Sequence, residues 1–192
     1  MRDEFARFLH ELDSSGIEYC VIDVENENLD ILVSESFEAV KLKIKGWKEK
    51  KDRKLYLYSL KRRKVFIKDA LTVSFNYKLA CRSTLNGAWV PLDRRINDGA
   101  LERAIFDTER GFRVLSPEDE VCYLLASCIY TIKGFSSDHR SRISDSMKRG
   151  DAEEIKKKLS KVFFYFTDRL LQMVKDRDYD DIIPALYAFA GY

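Results

Sequence analysis

Residues 25–37 read ENENLDILVSESF, and the six in the middle, Asn28-Leu29-Asp30-Ile31-Leu32-Val33, govern how the rest of the chain is read. The pattern is that of a short strand, because side chains alternate across a pleated backbone. Leu29, Ile31 and Val33 then face the core, while Asn28, Asp30 and Leu32 face the other way. Two carboxylates at i and i+2 on such a face are a metal-binding arrangement. Here the first of the two positions holds an amide, Asn28, and only Asp30 is acidic.

Outward from this strand the flanks are legible. Upstream, IEYCVID (17–23) reads as a partner strand joined to it by the turn VENEN. Before that, Phe5, Phe8, Leu9 and Leu12 recur at helical spacing and Gly16 ends the run. Downstream, Phe37, Val40 and Ile44 predict a helix from about Ser36 to Lys45. Strands follow in KLYLYSL (54–60), KVFIKD (64–69) and the cleanly alternating LTVSFNYKL (71–79). A looped region holding WVPLDRRI leads to an expected short helix around 98–106. In LSPEDEVCYLLASCIYTIKGF, Ser116 is an N-cap, Pro117 the first helical residue, and Asp119 an acid at the positive end of the helix dipole. Its apolar stripe is Val121, Leu124, Leu125, Cys128 and Ile132. Beyond it, helices are expected over 138–149, over 151–176 with a break near Ser160, and over 182–190 with Pro184 in the first turn.

This order predicts an α+β fold, a mixed sheet flanked by helices with a helical C-terminal lobe. We divide it into a core over 1–110 and a lobe over 111–192. The 192 residues are enough for a real hydrophobic core. No apolar run approaches the roughly 20 residues that span a bilayer, and the charged start MRDEFARFLHELD is unlike a secretory signal, so no membrane association and a cytoplasmic location are expected. Cys20, Cys81, Cys122 and Cys128 form no C-x-x-C pair, and His10 and His139 are the only histidines, which argues against a thiolate metal centre and for reduced thiols.

Charge is unevenly spread. Residues 1–40 hold 2 basic and 11 acidic side chains, and residues 41–68 hold 13 basic and 2 acidic. The basic segment, with Lys48, Lys50, Lys51, Arg62, Arg63 and Lys64, suits phosphate groups or an acidic partner, and Trp47, Tyr56, Tyr58 and Phe66 among the cations add a nucleic-acid reading. His139, next to Asp138 and before Arg140, fits either a phosphate-binding loop or a helix start capped by Ser137 or Asp138. The aromatic run VFFYF (162–166) exceeds one helix stripe and suggests core plus an interface to a lobe or a second copy.

Taken in order, GIEYCVID…NLDILV, LTVSFNYKL, VPLDRRI…ALERAIFD and RVLSPEDEVCYLLASCIYTIKGFS resemble an uncharacterised nucleotidyltransferase family often met among bacterial and archaeal surface-polysaccharide genes, over about residues 5–145. The resemblance implies the minimal nucleotidyltransferase fold, Mg²⁺ as cofactor and a nucleotide substrate. In that chemistry paired carboxylates hold two metal ions for in-line transfer. It also exposes departures. The family's Asp-x-Asp is Asn28-x-Asp30 here, its later Asp and His fall on Ser74 and Asn76, and VIDVENEN lacks the small glycine turn. Of three expected carboxylates only Asp30 remains, as the sole metal and catalytic candidate.

The expectation is therefore a catalytically degraded nucleotidyltransferase-like protein. Its polar face of Asn28, Asp30, Ser74, Asn76 and Lys78 binds a nucleotide or phosphate ligand, or the chain binds a protein partner. One alternative is an active Mg²⁺-dependent enzyme using Asp30 with Asp23 or Asp69, although the strand parity of Asp23, Glu25 and Asp69 places them off that face. The other is a nucleic-acid or acidic-partner module working through residues 41–68.

Overall fold

The structure is a computed structural model, and it describes residues 2–25, 27–34, 38, 46–50, 63–83 and 87–190. Most of the helix expected over 36–45 and the whole of the strand expected over 54–60 lie outside the described residues. By compactness the chain divides into two units, 1–79 with 99–115 and 80–98 with 116–192.

In the first unit, α1 (Arg2–Ser14) forms because Phe5, Phe8, Leu9 and Leu12 make one apolar face. Gly16 closes it at φ 66°, a left-handed conformation that suits glycine, and Ile17 N–H returns to the Leu12 carbonyl. The sheet comprises β1 (Tyr19–Glu25), β2 (Asn28–Val33), β3 (Lys48–Glu49), β4 (Arg63–Lys68), β5 (Leu71–Asn76), β8 (Ile105–Asp107) and β9 (Phe112–Val114) in the order β3-β4-β5-β2-β1-β9-β8. β1–β2, β3–β4, β4–β5 and β8–β9 are antiparallel, whereas β2–β5 and β1–β9 are parallel, so the sheet is mixed and the fold is α+β. Tyr19, Val21, Leu29, Ile31, Val33, Phe66, Val73 and Phe75 pack beneath α1 as the core of this unit. Phe75 stands edge-on to Phe66 and Phe8.

The second unit is built on α3 (Pro117–Ala126), whose Ser116 cap and N1 proline are those the sequence predicts. It packs on α4 (Ser137–Arg149) and α5 (Ala152–Phe163). A small hairpin, β6 (Ala80–Arg82) with β7 (Trp89–Pro91), lies against the π-helical continuation of α3, Ser127–Ile132. A 3₁₀ turn (Phe164–Phe166), α6 (Thr167–Asp176) and α7 (Tyr179–Ala190) complete the helical part.

Several elements differ from the sequence expectation. The short helix is α2 (Arg94–Asn97), not 98–106, because the Asp93 side chain caps it at the Arg95 N–H. Residues 105–107 pair with β9 instead. The α3 stripe loses its last member, since Ile132 is exposed. The widening to π geometry at Ser127 shifts the helical phase before that residue is reached. The helix over 137–149 is capped by Ser136, one residue earlier than expected, in a reciprocal box with His139. The break expected near Ser160 falls at Phe164. Finally, α7 starts at Tyr179, which is buried against Phe135, so Pro184 lies inside the helix rather than in its first turn.

Candidate functional site

The parallel pairing of β2 with β5 sets Asn28 against Thr72, Asp30 against Ser74 and Leu32 against Asn76. Leu29, Ile31, Val73 and Phe75 take the core side. The opposite face therefore presents Asn28, Asp30, Ser74 and Asn76, as the alternation requires. Asn28 is exposed and Asp30 half-buried, but Ser74 and Asn76 are 2% and 0% exposed. Asn76 Nδ2 donates to the backbone carbonyls of Ile31 at 3.1 Å and Ser74 at 3.2 Å. Its Oδ1 is buried with no donor among the described residues. Lys78 lies past the end of the ladder, exposed in a bend.

A residue from a third strand completes the site. The two-residue turn Asp69-Ala70 pairs Lys68 with Leu71, and the register that follows puts Arg63 across from Asn76 and Val65 across from Ser74. Asp69 at φ 54° takes the left-handed conformation this turn needs and aspartate tolerates. Arg63 Nη2 donates to Ser74 Oγ at 2.6 Å and to Asp30 Oδ1 at 3.3 Å. In the sequence Arg63 belongs to the basic segment 41–68. Counting back from the turn sets it across from Asn76, and its reach to Asp30 comes from the β2–β5 register.

The same register separates two residues of the basic patch. Arg63 and Lys64 are consecutive on β4 and take opposite faces, and Lys64 is held by Glu38 at 3.2 Å and Glu49 at 3.7 Å. Lys48 and Lys50 are exposed at the β3 edge, while Lys51 and Arg62 lie outside the described residues. A shallow concavity of about 390 Å³ there is lined by Lys48, Lys50, Lys68 and Asp69. A second, of about 460 Å³, is lined by residues including Arg140, Lys148 and Arg177. Neither is lined by Asn28, Asp30, Ser74 or Asn76.

The acids expected as substitutes part company. Asp69 sits at the hairpin tip, five residues from Ser74 at about 3.3 Å each, too far to share a ligand with Asp30. Asp23 does the reverse of what parity predicts. The β1–β2 register shifts between Val21 and Asp23, leaving Ile22 as the extra residue and setting Asp23 directly across from Asp30. Cross-strand partners share a face, so the bulge returns Asp23 to the side of Asp30. His139 is a buried capping residue whose Nδ1 lies 2.9 Å from Ser136 Oγ, and His10 is exposed on α1.

Magnesium demands about six hard oxygen ligands in near-octahedral array, mostly carboxylates, phosphates and water. The β2/β5 face offers a carboxylate already paired with a guanidinium, a hydroxyl taken by the same guanidinium, and an amide whose NH₂ is spent on backbone. Among the described residues no three His, Cys, Asp or Glu side chains come together to hold a metal. The donor set does not fit a two-ion centre.

Neither family profiles nor curated protein sequences match this chain. Among solved structures it is similar to the solution structure of the antibiotic-resistance factor ANT(2'')-Ia, an aminoglycoside nucleotidyltransferase. The TM-score is 0.53 and the identity 10%, over 93% of this chain and 99% of that one. At that identity the likeness is one of fold alone, and it gives this chain a nucleotidyltransferase-like fold.

Proposed function

We propose that this protein is a nucleotidyltransferase-like chain that has lost most of its transfer chemistry and keeps the β2/β5 face for binding a nucleotide or another phosphate-bearing ligand. The observation that carries this reading is the contact of Arg63 with Asp30 and Ser74, which puts a phosphate-matching cation on the β2/β5 face. A guanidinium and buried hydrogen-bonding groups recognise phosphate and ribose oxygens without needing an activated hydroxyl. The test is calorimetric titration of the four nucleoside triphosphates, each with and without Mg²⁺, beside an assay for labelled-nucleotide incorporation. Binding of at least one triphosphate with no incorporation is expected. Failure of all four to bind in either condition would sink the reading.

A second reading has its own observation. The β1 bulge sets Asp23 across from Asp30, and two carboxylates on one face are the minimum for metal-assisted transfer. An active enzyme of this kind would incorporate nucleotide only with Mg²⁺ and would lose that activity in both Asp23→Asn and Asp30→Asn.

A further inference from the structure

A nucleotidyltransferase-like fold implies a divalent cation between carboxylates, and this chain has an arginine on Asp30. Arg63 Nη2 is shared between Ser74 Oγ and Asp30 Oδ1, and the side chains of Arg63 and Asp30 remain 24% and 25% exposed. The guanidinium is thus fixed from below and reachable from outside. Two buried polar atoms at this point lack partners among the described residues, the Arg63 Nε–H and Asn76 Oδ1, and their residues are opposite one another in the β4–β5 register. Buried groups without partners are rare enough in native proteins to call for an explanation. Together they leave one donor and one acceptor unused beside a fixed positive charge.

We propose that Arg63 takes the place of the metal ion: the face binds phosphate oxygens directly through its guanidinium, independently of Mg²⁺. This rests on the phosphate-binding reading above and specifies how that binding works. A guanidinium matches phosphate geometry with paired N–H donors. A two-ion centre would need more carboxylates than the Asp30 and Asp23 on this face, and no group of three metal-ligating side chains occurs among the described residues. Asp30 changes role accordingly. In a metal site it is a ligand and its charge helps binding. Beside Arg63 it competes with the phosphate for the same donor, and Asp23 across the strand adds a second negative charge.

The two roles predict opposite signs. Inorganic tripolyphosphate and ATP are titrated by calorimetry into wild type, Asp30→Asn, Arg63→Gln and Arg63→Lys, in EDTA and in Mg²⁺. The expected result has three parts. Affinity in EDTA stays within about threefold of that in Mg²⁺, Arg63→Gln loses about tenfold or more, and Asp30→Asn, which keeps an acceptor for Nη2 but removes the charge, binds several-fold more tightly. Binding that needs Mg²⁺, or that weakens in Asp30→Asn, overturns the metal-free role of Arg63 and leaves the phosphate-binding reading standing. Absence of binding by wild type in both conditions overturns both. Thermal melting checks that Arg63→Gln is folded. If it is not, Arg63→Lys and the sign in Asp30→Asn decide, since each retains a partner for Ser74 or Arg63.

Discussion

Asp119 is fully buried, and its carboxylate is held by Lys158 at 2.6 Å and by the Ser116 hydroxyl at 3.2 Å. Its two neighbours in the first turn of α3 reach other partners. Glu118 accepts the Asp151 N–H at 2.9 Å, and Glu120 accepts from Arg142 at 3.0 Å and Ser146 at 2.6 Å. Three consecutive acids thereby tie one helix end to α4 and α5. Removing one side of a buried ion pair strands the other charge, so Lys158→Ala should cost about 3–5 kcal/mol in chemical denaturation. Asp119→Asn combined with Lys158→Met should recover much of that loss. An unchanged midpoint in the single variant would deny the pair its structural role.

Glu118 gives a pH prediction. Burial pushes its carboxyl up, but hydrogen bonds from the backbone of Asp151 and its own residue and from Ser116, with the charge of Lys158, outweigh this and hold it below the ordinary range. A lowered folded-state value contributes stability that is full above the unfolded value, about 4.3, and is lost as pH falls through the folded one. Melting temperatures of wild type and Glu118→Gln should therefore differ near neutrality and converge as the pH drops below that range. A constant gap would contradict the assignment.

At the scale of elements, the aromatic run divides. Phe163 and Phe166 are buried, whereas Phe164 is 70% and Tyr165 91% exposed. The cause is Phe164 itself, at φ 48° and ψ −125°, a conformation that favours glycine and turns α5 into the 3₁₀ segment before α6. Such backbone strain costs about 1–3 kcal/mol. Phe164→Gly gives up little buried surface, so it should raise the melting temperature by a few degrees. A drop would mean that the exposed ring is held by contacts worth more than the strain.

The β1 bulge is the other decisive element. Without it Ile22 would face Asp30 and Asp23 would turn to the core side with Leu29. A bulge of one residue has no reliable local signature, which is why parity counted along β1 misplaced Asp23. The Asp69-Ala70 turn, in contrast, was countable, and the register of Arg63 with it.

For the whole molecule, the chain moves between its two units more than once. Residues 80–98 join the helical unit before 99–115 return to the sheet, where Val21 pairs in parallel with Val114. Thiols report on both units. Cys20, Cys122 and Cys128 are buried, and burial raises the Cys122 thiol well above its ordinary value, whereas Cys81 is partly exposed. A thiol reagent should label native protein at Cys81 alone, with Cys20 following the unfolding of the sheet and Cys122 and Cys128 that of the helices. Rapid labelling of Cys20 in buffer would contradict the packing of the sheet. No described helix is long and apolar enough to cross a membrane.

The sequence by itself determined what short-range periodicity and caps dictate. That includes the apolar face of α1, the alternation of β2 and β5, the start of α3 at Ser116, and the α+β class, since each follows from spacing within a dozen residues. It also determined that an amide, Asn28, stands two residues before Asp30 on the same strand face. Only the tertiary structure decided that Arg63 lies on Asp30, that the bulge brings Asp23 back, that Ser74 and Asn76 are buried, and that Lys158 answers Asp119. Each of those depends on a register or contact between segments far apart in the chain, and such pairings are fixed by packing rather than by local preference.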